Sequence, residues 1–363
     1  MVLINKIFKK SQKMEKRKMI TFPEIGQFRQ IIKVITDNTR YSGKDENGDA
    51  IFDASKRLPT LTFTGTVKLH GTNAGVTLTK NGDMYPQSRE NVISMTSDNA
   101  GFAFFVETNK DVFRKMFSTL DIRDADYITI FGEWAGGNIQ KSVAISGLPK
   151  MFVIFAVKLS YEPNEEGVAI RDNYFYTDEE TKHLKNPETR IYNILDFENY
   201  SIDIDFENPH LAQNKLIELT LAVEEQCPVG KFFGNIGVGE GICWKCETSK
   251  GTLRFKVKGD AHAGKSKVKT LKPVDNEKIN KLQEVAMKVT PAWRLSQMLE
   301  KSCNLMNGGQ IDRAKLGEYL KLVINDVIKE DIDILVEEGT EIKDISKYIS
   351  EIAKRYFFEQ ESI

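Results

Sequence analysis

A lysine lies near the end of an alternating hydrophobic segment in residues 66–75, TVKLHGTNAG. The amine of Lys68 is a nucleophile only when it is neutral, so covalent chemistry requires a site that depresses its pKa through burial or neighbouring cations. The end of a strand would hold this side chain rigidly, and Gly71 would let a ligand approach the backbone closely. The alternative is a solvated strand end followed by an ordinary Gly-Thr-Asn turn.

Four other short segments place polar side chains near the ends of predicted strands. Arg89 ends a hairpin, where an arginine can bind a phosphate or a sugar. Glu133 ends a buried strand and could accept hydrogen bonds from ribose hydroxyls. Glu240 precedes another strand, where it could bind a metal ion or lie near the nucleophile. The fourth segment is FKVK, residues 255–258.

Two lysines of that fourth segment, Lys256 and Lys258, are two positions apart. Side chains with this spacing on a strand project from one face. Adjacent ammonium groups repel each other unless an anion lies between them, and phosphate is the natural candidate. They would also lower the pKa of a nearby lysine. Each segment alone is compatible with a surface role, but the ordered set of lysine, arginine, two glutamates and a lysine pair indicates a functional site.

The elements that must position these residues follow from the hydrophobic pattern. Alternation predicts half-buried strands, β-branched and aromatic runs predict buried strands, and an Asn-Gly pair predicts a hairpin turn. The predicted elements are an extended piece and a short helix from Ile20, a strand at 61–69, a hairpin at 75–89 with its turn at Asn81-Gly82, a helix at 102–120, strands at 127–136 and 150–160, a polar loop at 161–190, a helix at 209–227 and two strands between Gly239 and Lys258.

After Pro273 the pattern changes to periodic helical runs with few strand signals. We therefore predict an α+β protein in which a domain of antiparallel sheets and helices precedes a small all-helical domain. The predicted boundaries are a basic flexible tail over residues 1–19, the mixed domain over 20–273 and the helical domain over 274–363.

Composition excludes several classes of protein. With 363 residues, 40% hydrophobic and 28% charged, the chain is long enough for two folded domains and is not a disordered protein. No apolar run approaches the ~20 residues that span a membrane, and the N-terminal residues lack the apolar stretch of a signal peptide. Four cysteines do not make a disulfide scaffold, so a reduced, cytoplasmic setting is expected.

Charge is unevenly distributed, although the net charge is only −1. Nine Lys or Arg residues and two acids lie between residues 245 and 272, which suggests a localised site for a polyanion; a solvated linker is the alternative. The same region contains Cys243 and Cys246 with CxxC spacing. No second pair at zinc-site spacing accompanies them, and we interpret both as small strand residues.

The order of these motifs resembles nucleotidyltransferase motifs I to V of covalent ligases and capping enzymes. The resemblance is strongest to the RNA ligase 2 family of bacteriophages and their relatives, because DNA ligases and capping enzymes usually have aspartate where His70 stands. The matching residues are Lys68, His70, Gly71, Thr72 and Asn73 in motif I, Arg89 just after it, Glu133 in motif III, Phe152 and Phe155 in motif IIIa, Glu240 and Gly241 in motif IV, and Lys256 and Lys258 in motif V.

This resemblance implies an ATP-grasp-like nucleotidyltransferase domain and an ATP-dependent RNA ligase that uses Mg²⁺ or Mn²⁺. Lys68 would attack ATP to form a lysyl-AMP, and the AMP would pass to a 5′-phosphate that a 3′-OH then attacks, at nicks in duplex RNA. In this interpretation Lys256 and Lys258 bind the α-phosphate and Glu133 binds the ribose. Phe155 stacks on adenine, with Phe152 as the substitute, and Glu240 binds metal and sets the charge of Lys68. The residues that contact the nucleotide or RNA end are His70, Gly71, Asn73 and Arg89.

The chain departs from the family at one position. An aspartate commonly follows the second phenylalanine of motif IIIa, but Ala156 stands there. That carboxylate is therefore absent or is supplied by another part of the chain.

RNA is the expected partner, with a monomeric protein and no membrane; if the chain is encoded by a phage, it would act in the host cytoplasm. The residues predicted to bind RNA are Thr72, Lys265, Lys267 and Lys269, with Lys272 close by, and the helical domain would contact the duplex. A DNA ligase, a capping-type nucleotidyltransferase and a catalytically silent RNA-binding protein of the same fold remain the alternatives.

Overall fold

The computed structural model describes residues 17–45, 47–169, 171–262 and 271–361. Sheets and helices alternate along these ranges, which confirms the predicted α+β class. The strands are β1 (Gly26–Gln27), β2 (Tyr41–Lys44), β3 (Ala50–Phe52), β4 (Thr60–Lys68), β5 (Thr72–Thr79), β6 (Met84–Ser88), β7 (Tyr127–Ala135), β8 (Met151–Ser160), β9 (Tyr174–Phe175), β10 (Ile191–Asn193), β11 (Asn199–Asp205), β12 (Gly241–Thr248) and β13 (Gly251–Lys258).

The helices lie between these strands and fill the C-terminal part of the chain. None of those in the described ranges combines the length and the hydropathy that crossing a bilayer would require. They are α1 (Phe28–Arg40), α2 (Phe102–Thr108), α3 (Lys110–Ser118), α4 (Asp178–Thr181), α5 (His210–Glu225), α6 (Pro228–Phe232), α7 (Asn276–Val289), α8 (Ala292–Cys303), α9 (Leu316–Glu330), α10 (Ile332–Glu337) and α11 (Ile342–Glu361), with 3₁₀ turns at Ala144–Gly147, Pro187–Thr189, Ile194–Asp196, Asp260–His262, Leu305–Asn307 and Arg313–Lys315.

Two larger sheets carry the predicted motifs. One has the strand order β1-β13-β12-β4-β11, and the other has the order β10-β8-β7-β5-β6 with β9 paired to β8. The pairs β4·β12, β12·β13, β5·β6, β5·β7 and β7·β8 are antiparallel, as predicted, whereas β10 pairs with β8 in parallel. A separate ribbon is formed by β2 and β3.

The predicted hairpin is present as β5 and β6. Its turn contains Gly82 with φ +82°, a left-handed backbone that glycine adopts without steric cost. Leu78 pairs with Met84 next to the turn, and Ala74 pairs with Ser88 at the other end. The hairpin therefore brings Arg89, just after β6, to the end of β5 that follows Lys68.

The single helix predicted over 102–120 is wrong, because two helices occupy this segment. The side chain of Asn109 donates a hydrogen bond to the carbonyl of Phe105 at 2.8 Å, and its own backbone φ of −109° is not helical. Asparagine competes in this way for helical backbone acceptors. Residues 161–190 were predicted as a loop, but they also contain β9 and α4.

Aromatic side chains form the core of the larger sheet. Phe102 and Phe113 on the helices pack with Phe152 on β8, and all three are fully buried. Trp134 on β7 packs on Phe105 with 4.7 Å between ring centroids, and its indole N–H donates to the carbonyl of Ala100. This packing fixes α2 and α3 against one face of the sheet, while Phe22 packs on Phe131 and Phe155 of β7 and β8.

The chain divides into two compact units that are not continuous in sequence. The described residues of the first lie up to Gly26, in Thr64–Ser201 and in Leu219–Thr270, and those of the second lie in Gln27–Phe63, Ile202–Glu218 and Leu271–Ile363. The predicted boundary near residue 273 falls beside the last division. The sequence pattern did not indicate that two earlier segments join the helical part, and the predicted domain limits stay a prediction.

The second unit has its own core, in which α11 packs with α7, α8 and α9. Arg294 on α8 is 2% exposed and forms ion pairs with Asp326, at 2.7 Å, and with Asp331. Burying an arginine in this way requires that both carboxylates pair with it. The helical runs predicted after Pro273 are present as α7, α8, α9 and α11, and the short helix α10 lies between the last two.

Residues 1–16 of the predicted basic tail lie outside the described residues. The next two side chains are held on the first unit, where Arg17 forms an ion pair with Asp83 at 2.9 Å and Lys18 with Glu162 at 2.8 Å. Ile20 is buried, in agreement with ordered structure that begins near this residue.

Candidate active site

A cavity of about 430 Å³ lies in the first unit, and the predicted motif residues line it. Segments that are distant in sequence meet there because β4, β12 and β13 are neighbours in one sheet and β5, β7 and β8 in the other. The motif residues that line the cavity are Lys68, His70, Gly71, Thr72, Asn73, Arg89, Glu133, Phe155, Glu240, Lys256 and Lys258. The structure thus brings every predicted nucleotide-binding residue to one place, while their chemical roles stay predictions.

Strand register explains why the cations converge. Lys68 on β4 pairs with Gly241 on β12, which pairs with Lys258 on β13, so these residues form one row across the sheet. Two residues further along, Thr66, Cys243 and Lys256 form a second row. Because residues two apart on a strand face the same side, both rows present their side chains to the cavity.

Glu240 lies immediately before β12 and is the centre of the site. Its carboxylate is 2% exposed and accepts hydrogen bonds from the amines of Lys68, at 2.6 Å, and Lys258, at 2.7 Å. The Nδ1 atom of His70 lies 3.3 Å from the same oxygen as Lys68. Burial alone would raise the pKa of Glu240, but His70 and the two ammonium groups hold this pKa well below its usual range. The carboxylate is therefore ionised at neutral pH.

The pKa of Lys68 is raised, not depressed, and the expectation of a lowered value was wrong. Burial does lower it, but the Glu240 carboxylate, which is charged and accepts a hydrogen bond from the amine, and the carboxylate of Glu133 more than offset burial. The lysine whose pKa is lowered is Lys256. Burial is the larger cause, and repulsion from the charges of Lys68 and Lys258 acts in the same direction. With no ligand bound, Lys68 is an ammonium group and not a nucleophile.

Glu133 on β7 accepts a hydrogen bond from the backbone N–H of Gly71 at 2.9 Å. Burial raises its pKa to about 7, although Lys68 and this hydrogen bond act in the opposite direction. Glu133 is thus the carboxylate of the cavity whose charge changes near neutral pH.

A raised carboxyl pKa predicts a particular pH dependence of stability. The folded protein holds the Glu133 proton up to about pH 7, whereas the unfolded chain loses it near 4.5. The contribution of this group to the free energy of unfolding is therefore largest below pH 4.5 and falls as pH rises through 7. In urea titrations between pH 5 and 8, Glu133→Gln should flatten this decline; an unchanged slope would contradict the assignment.

Gly71 is required by packing against β7. A Cβ atom on this residue would lie 2.4 Å from the carbonyl oxygen of Trp134 and 2.9 Å from the Cβ of Ala135. Gly71 also lines the cavity, so it keeps the loop after Lys68 close to β7 and to Glu133.

We expect Gly71→Ala to lower the free energy of unfolding by about 2 kcal/mol or more, because backbone must shift to admit the methyl group. Thermal unfolding measures this effect. Gly317→Ala is the matched control, since no atom lies within 4 Å of its Cβ position, and that helical change should be neutral or stabilising. Equal melting temperatures for the wild type and Gly71→Ala would contradict the packing argument.

The two phenylalanines of the predicted motif IIIa have different environments. Phe155 lines the cavity and packs edge-on against Phe22, with 5.1 Å between ring centroids. Phe152 is fully buried in the core, where it packs on Phe102. Residues three apart on a strand face opposite sides, and the register shift between Phe131 and Gly132 of β7 leaves Phe155 without a Cα partner on that strand. Phe155 is therefore the ring that a nucleobase can reach, and Phe152 is not a substitute.

Comparison with known proteins supports an assignment of this chain. The sequence profile of the family described as RNA ligase matches residues 61–258, more than half of the 363 residues. The chain belongs to the RNA ligase family. The match begins in β4 and ends at Lys258, so it contains all the strands that line the cavity.

Solved structures of an RNA ligase from Naegleria gruberi are similar to this family member over part of each chain. The ligase solved with PPi gives a TM-score of 0.42 at 16% identity, and two of its variants, one with ATP and Mn and one with AMP and Mn, each give 0.41 at 16% identity. Each alignment covers 70% of this chain and 60% of the other, so the chain spans about 60% of the length of the ligases it matches. No curated protein is significantly similar.

The side chains of this RNA ligase family member fit a divalent ion only in part. Within the described residues there is no group of three or more His, Cys, Asp or Glu side chains that could hold a metal. Both oxygens of Glu240 already accept from lysines. The cavity therefore suits an ion that takes most of its ligands from phosphate oxygens and water, as Mg²⁺ does, and Glu240 as the protein ligand stays a prediction.

Motif reasoning missed several residues of the cavity. Phe22 precedes the first strand, and Asp178 begins α4 in a segment predicted as loop. Cys243, Lys245 and Arg254 lie on β12 and β13 among the motif residues. A signal for Arg254 was available in the sequence. It lies two residues before Lys256 on the same strand, so alternation places both side chains on one face. Cys243 and Cys246 lie in β12, which confirms that they are strand residues.

The residues predicted to bind RNA have separate outcomes. Thr72 lines the cavity, where its hydroxyl accepts a hydrogen bond from Asn99 at 3.2 Å. Arg89 is an exposed residue of the cavity wall. Lys272 is exposed in the second unit. The remaining three, Lys265, Lys267 and Lys269, lie outside the described residues.

Proposed function

We propose that this chain is an ATP-dependent RNA ligase that joins 3′-OH and 5′-phosphate ends at nicks in duplex RNA or RNA-containing duplexes. One observation carries the proposal: in a chain of the RNA ligase family, a lysine amine lies in a cavity on a buried carboxylate, beside two further lysines. This set can form a phosphoramidate with a nucleotide and stabilise the phosphate that it attacks.

The cavity supports a definite position for ATP. The α-phosphate would lie between Lys68 and the pair Lys256 and Lys258, because these cations share two adjacent rows of one sheet. The adenine would stack on Phe155, and Glu133 would accept from ribose hydroxyls. Asn73 pairs with Glu133 across β5 and β7, so its side chain is near the same sugar or the phosphate.

The first step requires that Lys68 lose a proton. The neutral nitrogen then donates its electron pair to the α-phosphorus, a P–N bond forms, and the P–O bond to pyrophosphate breaks; the amine loses a second proton as lysyl-AMP is completed. Carboxylates raise the resting pKa of Lys68. Phosphates that draw Lys258 away from Glu240 would leave this carboxylate free to bind a proton or a cation. A divalent ion would supply further positive charge at the phosphates.

Two transfers follow on the same residues. The 5′-phosphate of RNA attacks the phosphorus of lysyl-AMP, which releases Lys68 and forms a pyrophosphate linkage to the RNA end. The 3′-OH of the neighbouring strand then attacks the RNA phosphorus, and AMP leaves as the phosphodiester forms. Lys256, Lys258 and Arg89 are the cations that can neutralise the phosphates in these steps.

Loss of Lys258 should slow lysyl-AMP formation strongly. Its amine binds Glu240 and faces the proposed α-phosphate position, and removal of one such charge costs roughly 10²–10³ in rate. Single-turnover labelling with ATP compares Lys258→Ala with Lys250→Ala, a lysine in the exposed turn of the same hairpin. A rate for Lys258→Ala within twofold of the wild type would contradict the phosphate role.

The proposal is tested by covalent labelling and by sealing. The protein is incubated with ATP or GTP labelled at the α-phosphate, and acid-labile, alkali-stable label on the protein is measured, as a P–N bond requires. Retention from ATP distinguishes a ligase from a capping-type guanylyltransferase and from a silent RNA-binding protein. Nicked duplexes with RNA or DNA in each strand position then define the substrate; sealing confined to all-DNA nicks would identify a DNA ligase instead.

A further inference from the structure

A second polar cluster lies at the other end of the same cavity, and the chemistry proposed at Lys68 does not use it. Lys245 on β12 pairs with Thr64 on β4 and with Arg254 on β13, which makes a third row across the sheet. This row is four residues from the row that contains Lys68, or roughly 14 Å along the strands. Asp178 also lines the cavity. Its carboxylate binds Lys245, which places it at this end.

Asp178 presents an acceptor to the cavity. It is the first residue of α4, and Thr177 caps that helix, so the carboxylate is not needed as the cap. Its Oδ1 atom accepts from the amine of Lys245, which also lies 3.2 Å from Glu247. Within the described residues, the Oδ2 atom accepts no hydrogen bond.

Arg254 presents donors at the same place. Its guanidinium lies 4.4 Å from the ring centroid of Phe175 and 5.5 Å from that of Phe22, and within the described part of the chain it forms no ion pair. Burial lowers its pKa to about 10, so it remains charged at neutral pH. Phe22 also packs on Phe155. Arg254 and Phe155 therefore flank one ring, and a base stacked on Phe155 has its edge near Arg254.

We propose that Asp178, with Arg254, reads the edge of the nucleobase and selects adenine. Asp178 accepts a hydrogen bond from the exocyclic amino group, and Arg254 donates to the N7 atom, an acceptor that adenine, guanine and hypoxanthine share. This inference rests on the proposed function for the position of the nucleotide, and it deepens that function by assigning base specificity to residues outside the motifs. It also gives the cavity a carboxylate from α4 in a chain that has Ala156 where a motif acid is usual.

The discrimination comes from Asp178 and not from Arg254. An arginine can donate equally well to the O6 and N7 atoms of guanine. A carboxylate has no proton to donate to the O6 atom of guanine or hypoxanthine. Both groups are acceptors, and two acceptors repel each other. A polar group that the wrong ligand covers and leaves unpaired penalises that ligand, because it loses its contact with water without gaining a partner.

The experiment measures nucleotide binding without covalent chemistry. ATP and inosine 5′-triphosphate share their sugar and phosphates, but inosine carries O6 in place of the amino group. Calorimetry on the full chain with Lys68→Ala gives both dissociation constants. We expect ATP to bind about 10- to 100-fold more tightly than inosine triphosphate.

The added change Asp178→Asn should lower this ratio to about one or below, because an amide can donate to O6. The matched control is Glu247→Gln, which alters the other carboxylate partner of Lys245 but not a residue of the cavity wall; it should keep the parent ratio. Circular dichroism and thermal unfolding establish that each variant is folded.

Two results would overturn the proposal. One is a ratio of the two dissociation constants near one in the Lys68→Ala protein with Asp178 intact. The other is a ratio that Asp178→Asn leaves unaltered. Failure of the wild type to form lysyl-AMP is a different result. It would refute the proposed function, while the ratio of the two dissociation constants would still decide whether Asp178 reads the base.

Discussion

Lys68→Ala should abolish covalent labelling by ATP, with no detectable lysyl-AMP at any pH. The reason is chemical: in the proposed mechanism the P–N bond forms at this amine, and the other two lysines of the motif rows, Lys256 and Lys258, are proposed to bind phosphate. Loss of the nucleophile removes a step and not merely a favourable contact. Label is measured after incubation with α-labelled ATP and denaturing electrophoresis.

The same variant should still seal a nick that already carries AMP on its 5′-phosphate, because the final transfer does not use the lysine as a nucleophile. The matched control is Lys80→Ala, which removes an exposed lysine near the hairpin turn and should label and seal like the wild type. Label retained on Lys68→Ala would refute the nucleophile assignment. Loss of both labelling and sealing, with loss of fold, would show that Lys68 acts through stability.

Glu240→Ala should damage stability and catalysis together. The carboxylate is 2% exposed and pairs with Lys68, Lys258 and His70. Its removal leaves two neighbouring ammonium groups without their shared anion, which should lower the free energy of unfolding by roughly 2–4 kcal/mol. Urea titration at pH 7 measures this change. The rate of lysyl-AMP formation should fall ~100-fold, because Lys68 and Lys258 lose the group that holds them.

The pH dependence separates the charge of Glu240 from its packing. Since Glu240 helps to raise the pKa of Lys68, the alanine variant should reach its maximal labelling rate at a lower pH than the wild type. Glu240→Gln should show the same downward shift with a smaller loss of stability. Glu247→Ala, on β12 and more exposed than Glu240, should change the free energy of unfolding by less than about 1 kcal/mol. A wild-type pH profile in Glu240→Ala would contradict the electrostatic account.

The sequence predicted the strands and the motif residues well, for a local reason. Alternation in β4, the Asn-Gly turn between β5 and β6 and the continuous apolar runs of β7 and β8 are short-range signals. Where a side chain competed with the helix backbone, as at Asn109, the hydrophobic period was preserved and concealed the break. The short elements β9 and α4 were missed because too few residues carry a pattern there.

Electrostatics could not be predicted from the motif list. The lysine pair Lys256 and Lys258 suggested a depressed pKa for Lys68, but pairing of β4 with β12 places Glu240, 172 positions away, against its amine. A charge at 2.6 Å in a buried site outweighs cations that lie further away. The choice between Phe152 and Phe155 likewise depended on which face of β8 borders the cavity, and no local pattern shows this.

By itself, the sequence determined the α+β class, the identity of the lysine, arginine, glutamate and phenylalanine residues at the site, and the resemblance to RNA ligases, because these depend on residue type and short spacing. Only the tertiary structure decided the protonation of Lys68, the packing role of Gly71 and the presence of Asp178 and Arg254 in the cavity. Those properties depend on distances between segments far apart in the chain, and these distances are set by strand register and side-chain packing.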